Sequence, residues 1–340
     1  MNYFQSLISK SKGNVYIIAE ACDNHMGSYD IAIALVDAAV YAGADAVKFQ
    51  HHLAYEEMLE DSPMSDNFSE PLYDFLNRNS LTLEQHKNLK CYCDSKNITY
   101  LCTPFSYKAA EEIKDIVPFF KIGSGEFQDR YFIDKLALIN KPTLFSSGMS
   151  TYDEITENIN YLKNLNIDFA LMNCLSEYPP IFDDLNLKFV EKLKKYYPEI
   201  IIGHSDHTNG NFSSIVAASF GADIIEKHLT LSNFIPGPDR SVSILPEELK
   251  RLVADLRNLK ATLGEEKIIH IKEKDIRTWA YRSVVSRRNI NEGEIIKIDD
   301  ICTKRPGTGF PSKRYKEIIG KKVRNPIKIN TIIKWEDLIE

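Results

Sequence analysis

Residues 201–230 read IIGHSDHTNGNFSSIVAASFGADIIEKHLT. A short apolar run ends in His204-Ser205-Asp206-His207, a helix-like segment follows, and a second apolar run ends in Glu226-Lys227-His228. This is strand, helix, strand. A crossover connection returns the chain to the same edge, so two parallel strands joined this way end side by side. His207 and His228 are therefore expected close together although far apart in sequence. The spacing fits two neutral imidazoles holding a divalent metal. It is equally the spacing of two histidines that cap strand ends. His204 is expected to be an inward-facing packing residue and not a ligand.

Working outward, the same unit recurs. The apolar runs 15–21, 46–50, 99–105, 119–124, 143–147 and 168–174 each precede a helix-like segment. With the two strands above they make eight strand–helix repeats, ending in a helix over 245–263. Alternation of this kind builds a parallel sheet, and eight repeats in this length favour a closed (β/α)8 TIM barrel in the α/β class. The turn after the first strand reads CDNHMG and lacks the glycine pattern of a dinucleotide-binding fold. Residues 51–80 break the rhythm. They are acidic, carry Pro63 and Pro71, and read as a functional or mobile insertion. After a charged stretch the pattern turns to short β-rich runs (SVVS, EIIKI, TIIK) with glycine turns. The boundaries expected are a barrel over 1–264, a linker over 265–281 and a small β-rich domain over 282–340.

The chain has 340 residues, 44% of them hydrophobic and 26% charged, with a formal net charge of −6. That balance suits a globular chain with a sizeable core and argues against a general nucleic-acid or acidic-membrane binder. No apolar run approaches the roughly 18 residues of a spanning helix. The first residues lack the apolar core of a signal peptide, and the six scattered cysteines suit reduced thiols. The expected location is the cytoplasm. Cys91 and Cys93 point apart on a helix and are not expected to bind metal.

Barrel chemistry collects at the C-terminal ends of strands. There stand Glu20, Lys48, Gln50, Thr103, Lys121, Ser124, Ser146, Ser147, Ser176, Ser205, Asp206, His207, Lys227 and His228. Lys48 and Lys121 lie within strands, where an unpaired ammonium is costly. Three readings stay open for them: an anion site, a Schiff base, or structural ion pairs. Hydroxyls at Thr103, Ser124 and Ser146, with glycines 123 and 148, favour an anion such as phosphate. Glu20 could serve as a third, oxygen ligand or as a general base. Asp239 sits on the loop beyond the last strand.

The set IIAEACDNHMG (17–27), GADAVKFQ (43–50), TPFS (103–106), FKIGSGE (120–126), SSGMS (146–150), GHSDHT (203–208), EKHLTL (226–231), GPD (237–239) and KRPGTGF (304–310) resembles the sialic acid synthase family. These are the phosphoenolpyruvate-condensing synthases of N-acetylneuraminate, legionaminate and pseudaminate, enzymes of cell-surface polysaccharide biosynthesis. The resemblance runs through nearly the whole chain. It implies that the C-terminal region is an antifreeze-like SAF domain and that the protein is a transferase. It implies catalytic roles for Glu20, His207 and His228, with the two histidines binding Mn2+, or Mg2+ or Co2+ in its place. Lys48, Thr103, Lys121, Ser124, Ser146 and Ser205 match positions that hold phosphoenolpyruvate. Gln50, Ser176, Tyr178 and Asp239 match positions near an N-acylated hexosamine acceptor. Arg305 matches an arginine delivered across a domain-swapped homodimer. N-acetylmannosamine is the first acceptor implied, and IPGPDRS (235–241) also fits 2,4-diacetamido-2,4,6-trideoxymannose, the legionaminate precursor, more than a pseudaminate precursor. The chain departs from the family in lacking the first glycine of AGxNHNG, in Ser176 where some members carry Asn, and in Tyr281-Arg282-Ser283 where a doubled arginine is common. Two other readings stay open beside it: a Schiff-base aldolase using Lys121 or Lys227, and a sugar-binding module on an inactive barrel.

Overall fold

The computed structural model describes residues 2–11, 15–63 and 70–339, which form two compact units, Met1–Gly264 and Glu265–Glu340. In the first, eight strands make one parallel sheet: β1 (Tyr16–Glu20), β2 (Ala46–His51), β3 (Thr99–Pro104), β4 (Phe120–Ile122), β5 (Thr143–Ser146), β6 (Phe169–Cys174), β7 (Ile202–Asp206) and β8 (Ile224–His228). β1 pairs with both β2 and β8, and the order runs β3-β2-β1-β8-β7-β6-β5-β4. β3 and β4 lie alongside each other and complete the ring, although no ladder joins them among the described residues. This is the (β/α)8 barrel.

Strand alternation sorts the side chains into two environments. One parity is apolar and packs outward against the helices: Ile17, Ala19, Val47, Phe49, Tyr100, Cys102, Phe145, Leu171, Ile202 and Ile225 share the main core with residues such as Leu35, Leu89 and Leu252. The other parity fills the barrel, and its character changes along each strand. At the N-terminal end Tyr16, Ile18, Ala46, Leu101, Leu144, Ala170, Met172 and Ile224 form a separate apolar cluster. One or two pleats further on the same parity reads Glu20, Lys48, Thr103, Lys121, Ser146, Ser205, Glu226 and His228, and these line a cavity.

A helix the sequence reading does not anticipate, Tyr3–Lys10, closes the apolar end. Asn2 and Gln5 form a reciprocal capping box at its start. Phe4 is fully buried in the interior cluster, edge-on to Phe119 at 5.2 Å, and the Tyr3 amide donates to Asp168 Oδ2 at 2.8 Å.

The expected insertion is partly helical. Ala54–Glu57 and Leu72–Asn79 pack Ala54, Phe75 and Leu76 with Met26, Met58, Leu72 and Tyr73 as a small cluster of their own. Part of that insertion, 64–69, lies outside the described residues.

In the second unit, Ser283–Ser286 pairs antiparallel with Ile301–Lys304, and Lys322–Val323 with Leu338–Ile339. Val284, Ile296, Phe310, Val323 and Ile333 belong to its own core. EIIKI and TIIK make isolated bridges, Ile295 to Lys322 and Ile332 to Val285, flanked by backbone hydrogen bonds from Ile296 N–H to the Lys321 carbonyl and from Ile333 N–H to the Val284 carbonyl. Residues expected to be a linker include the helix Ile271–Ala280.

Candidate active site

The C-terminal ends of the strands surround a cavity of about 480 Å³, within the range of small-molecule sites. Of the strand-end and resemblance-implied residues, Glu20, Lys48, Gln50, Thr103, Lys121, Ser124, Ser146, Ser176, Tyr178, Ser205, His207, His228 and Asp239 line it, whereas Ser147, Asp206, Lys227 and Arg305 do not. Arg305 belongs to the second unit, where its Nε donates to the Ala280 carbonyl at 3.0 Å and its guanidinium lies over the Trp279 ring.

Strand register places the polar groups side by side. Glu20 is level with Lys48 on one side and His228 on the other, and Gln50 is level with Thr103. At the centre is a group of buried charges. Lys48 Nζ lies 2.6 Å from Glu20 Oε2 and 3.6 Å from Glu226 Oε2, and it donates to Thr103 Oγ1 at 3.0 Å. Lys121 Nζ lies 3.7 Å from Glu226 Oε1 and donates to Ser146 Oγ at 2.7 Å. Ser205 Oγ also donates to Glu226, at 3.0 Å. Glu226 thus bridges both ammonium groups. The sequence reading passes over it, although its strand parity with His228 is the signal that marks it.

Burial, with the nearby Glu226 charge, pushes Glu20 up to about 7 against the pull of Lys48. Burial also opposes ionisation of Glu226, but Lys121, Lys48 and Ser205 together hold it below the ordinary carboxylate range. Lys121 is lowered by burial, only partly offset by Glu226; for Lys48 the two carboxylates outweigh burial and raise it. Near neutrality two cations therefore face one full carboxylate and one half-protonated one. The imbalance favours a bound anion.

The anion wall continues at the ends of β4 and β5. Ser124 Oγ accepts from the Gly148 amide at 3.0 Å. A Cβ at Gly148 would fall inside the van der Waals envelope of the Ser124 and Ser176 hydroxyls, so only glycine brings these groups together.

Opposite stand the imidazoles. The His207 and His228 ring centroids are 5.3 Å apart. His207 Nδ1 donates to the Leu175 carbonyl at 2.8 Å, which leaves Nε2 directed toward the cavity side, 3.2 Å from the Tyr178 hydroxyl. The Tyr178 ring stacks on it. His228 Nδ1 is buried and has no hydrogen-bond partner; burial and His207 hold this imidazole well below the usual range, so it is neutral. Its ligand atom gathers with Cys22 Sγ and an Asp239 oxygen, all within 4.8 Å of one another. An unpartnered neutral imidazole beside a carboxylate and a second imidazole suits a divalent cation.

Parity separates the remaining residues. His204 faces outward, opposite to the packing role expected inside the barrel, because it alternates with Gly203 and Ser205; its Nδ1 meets the Asn173 carbonyl at 3.1 Å. Asp206 is outward too. It accepts from Ser213 at 2.6 Å and Ser214 at 2.5 Å and pairs with Lys227 at 3.3 Å. Lys227 is thus bound into the barrel–helix layer and does not line the cavity. Ser147 likewise turns outward, donating to the Met172 carbonyl at 2.9 Å. All six cysteines are free thiols, with Cys93 buried and Cys91 exposed. No helix among the described residues is long and apolar enough to cross a membrane.

Comparison with known proteins shows the family. Residues 35–268 match the NeuB family and residues 281–339 match the SAF domain. The chain is 37% identical to an uncharacterized protein of Methanocaldococcus jannaschii over 95% of its length and 94% of the relative's. It is 34% identical to the N,N'-diacetyllegionaminic acid synthase of Campylobacter jejuni, over 94% of this chain and 98% of that one. Among solved structures it is similar to the N-acetylneuraminic acid synthetase of Leptospira borgpetersenii, with a TM-score of 0.70 and 30% identity, covering 77% of this chain and 90% of the other. A barrel whose strand ends carry this lysine, carboxylate and imidazole set, matched over this length, belongs to the NeuB family of sialic acid synthases.

Proposed function

We propose that the protein condenses phosphoenolpyruvate with the open-chain aldehyde of an N-acylated hexosamine, giving a nonulosonic acid and phosphate. The observation that carries this reading is the buried Lys48–Glu20–Glu226–Lys121 group facing the paired imidazoles across one cavity. The two lysines, with Thr103, Ser124, Ser146 and Ser205, take the phosphate and carboxylate of phosphoenolpyruvate. The bound anion displaces part of the carboxylate–lysine pairing and keeps both ammonium groups charged. Gln50, Ser176, Tyr178 and Asp239 take the sugar. His207 and His228, with Asp239 near His228, would hold a divalent cation, Mn2+ above all, which polarises the aldehyde when bound.

C3 of phosphoenolpyruvate then forms a bond to the aldehyde carbon, and the carbonyl oxygen takes a proton. Water adds at C2 and loses a proton, and the resulting tetrahedral centre expels phosphate by C–O cleavage. Glu20, poised near pH 7, is placed to give and take these protons. Gln50 donates to Glu20 Oε1 at 3.2 Å and Lys48 holds Oε2, so its carboxyl is fixed at both oxygens.

The same reading makes the protein a transferase working as a homodimer, with Arg305 reaching the acceptor's N-acyl group from the partner. The test is phosphate release from phosphoenolpyruvate with Mn2+ across a panel of acceptors including N-acetylmannosamine and 2,4-diacetamido-2,4,6-trideoxymannose, with product masses. Release should require an acceptor, stop with EDTA, and vanish in the His207→Ala/His228→Ala variant. Acceptor-independent release, or full activity in that variant, would sink the reading.

A further inference from the structure

We infer that His52 is a positioning residue: held between Glu57 and Gln50, it fixes the Gln50 amide so that its N–H faces Glu20. This rests on the condensation reading above, in which Gln50 and Glu20 face the acceptor.

The hydrogen bonds leave one arrangement. Gln50 lies between two partners. Its Nε2 is 3.2 Å from Glu20 Oε1, and its Oε1 is 3.0 Å from His52 Nε2. In its ionised form, the one that pairs with Lys48 at 2.6 Å, Glu20 only accepts, so in that form the amide end toward it is the donor. The carbonyl end then faces His52, and His52 Nε2 must carry a proton. His52 Nδ1 is 2.8 Å from Glu57 Oε1, which also accepts. Both ring nitrogens thus donate, and His52 is an imidazolium. Its ring stacks on Phe105 at 4.3 Å and 17°, which blocks rotation out of this plane. The groups facing it agree: the Glu57 hydrogen bond, Asp23 with Oδ2 at 3.7 Å, and Glu126 raise His52 against burial, while its charge lowers the neighbouring His25 and His51.

The consequence reaches Glu20 through the amide. Glu57 lies at the end of the short helix Ala54–Glu57, and His52 at its approach, so this helix is tied to the proton-carrying carboxyl by the chain Glu57–His52–Gln50–Glu20. With His52 removed, the amide is free to turn and present its carbonyl to Glu20. That would replace a donor by a repelling oxygen. The lysines and hydroxyls of the anion wall are outside this chain, so phosphoenolpyruvate binding should not change.

The test is a double-variant cycle with a spectroscopic arm, using the whole chain. Steady-state phosphate release is compared in wild type, His52→Ala, Gln50→Ala and the double variant. Loss of a hydrogen-bonded support of this kind reduces activity by about ten- to a hundredfold. His52→Ala should lose that much in kcat over the acceptor KM, with the phosphoenolpyruvate KM unchanged. In the Gln50→Ala background the further loss should be small, because the residue His52 acts through is gone. His52→Gln retains a donor toward Gln50 and should recover part of the activity. Equal losses in both backgrounds would overturn the inference, since they mean that His52 acts on folding or directly on substrate. The histidine 15N spectrum at pH 7, with His52→Gln used to assign the signal, should show both His52 nitrogens protonated; a single protonated nitrogen would also overturn it. This arm needs no turnover. Inactivity on every acceptor would remove the condensation reading, while the ring nitrogens still decide the role of His52.

Discussion

Replacing Glu226 by glutamine tests the central charge group most directly. Glu226 neutralises two ammonium ions at once, and its removal affects them unequally. Lys48 keeps Glu20 at 2.6 Å. Lys121 keeps only neutral partners, Ser146 Oγ at 2.7 Å and the Ile122 carbonyl at 3.3 Å. Breaking a buried ion pair by deleting one partner costs about 3–5 kcal/mol. With one lysine still paired, the expected loss is about 3 kcal/mol. For a domain near this size each kcal/mol moves Tm by about 2–4 °C, so Glu226→Gln should unfold about 6–12 °C below wild type. Adding Lys121→Met should return much of that difference, because no buried cation is then stranded. Phosphoenolpyruvate at a hundred times its Kd should stabilise the single variant by about 2.7 kcal/mol and restore most of the shift. The assay is thermal unfolding followed by circular dichroism, at fixed scan rate, with and without the anion. A Tm equal to wild type, or a double variant less stable than the single one, would refute the assigned roles.

Two further outcomes follow from the same geometry. Glu20 is pushed up to about 7 from the ordinary range near 4.5, so below that range it is protonated in both the folded and unfolded states, and between the two values it is protonated only when folded. Its contribution to stability is therefore full at low pH and is lost as pH rises through about 7. Glu20→Gln should flatten that dependence in urea unfolding and remove the limb near pH 7 from the pH–rate profile; unchanged curves would show that another group titrates there. Phe4→Ala opens the apolar end of the barrel and should cost about 3–5 kcal/mol in chemical denaturation, with little effect on the phosphoenolpyruvate KM. A loss under 1 kcal/mol would mean that the N-terminal helix is peripheral.

The barrel is legible in the sequence because each strand is apolar on both faces and each repeat ends in polar residues at the same place. Site residues borne on strands follow from this: Glu20, Lys48, Lys121 and His228 are each fixed by parity once the strand is located. Glu226 shares their parity but follows an apolar run directly and precedes Lys227, so it reads as a strand-end charge until its two lysine partners are seen. His52 and Glu57 lie in a segment without a periodic pattern, and their link to Gln50 depends on side-chain direction. The Tyr3–Lys10 helix is short, and its apolar Tyr3, Phe4, Leu7 and Ile8 gain their meaning only from contacts far away in sequence, with Phe119 and Asp168. The helix Ile271–Ala280 is likewise hidden within a highly charged stretch.

The Phe4-bearing helix also bears on traffic. With one end of the barrel filled by apolar side chains, the cavity lies at the C-terminal ends of the strands, and substrates and products share that end. Lys48, Lys121, Thr103, Ser146 and Ser205, which would seize phosphoenolpyruvate, are almost fully buried, whereas Tyr178 and Met149 stand at the rim. A sugar seated first would stand in the way of the smaller anion. On the proposed chemistry the kinetics should be ordered, with phosphoenolpyruvate first in and the acceptor second, and free phosphate should compete with phosphoenolpyruvate as the last tenant to leave.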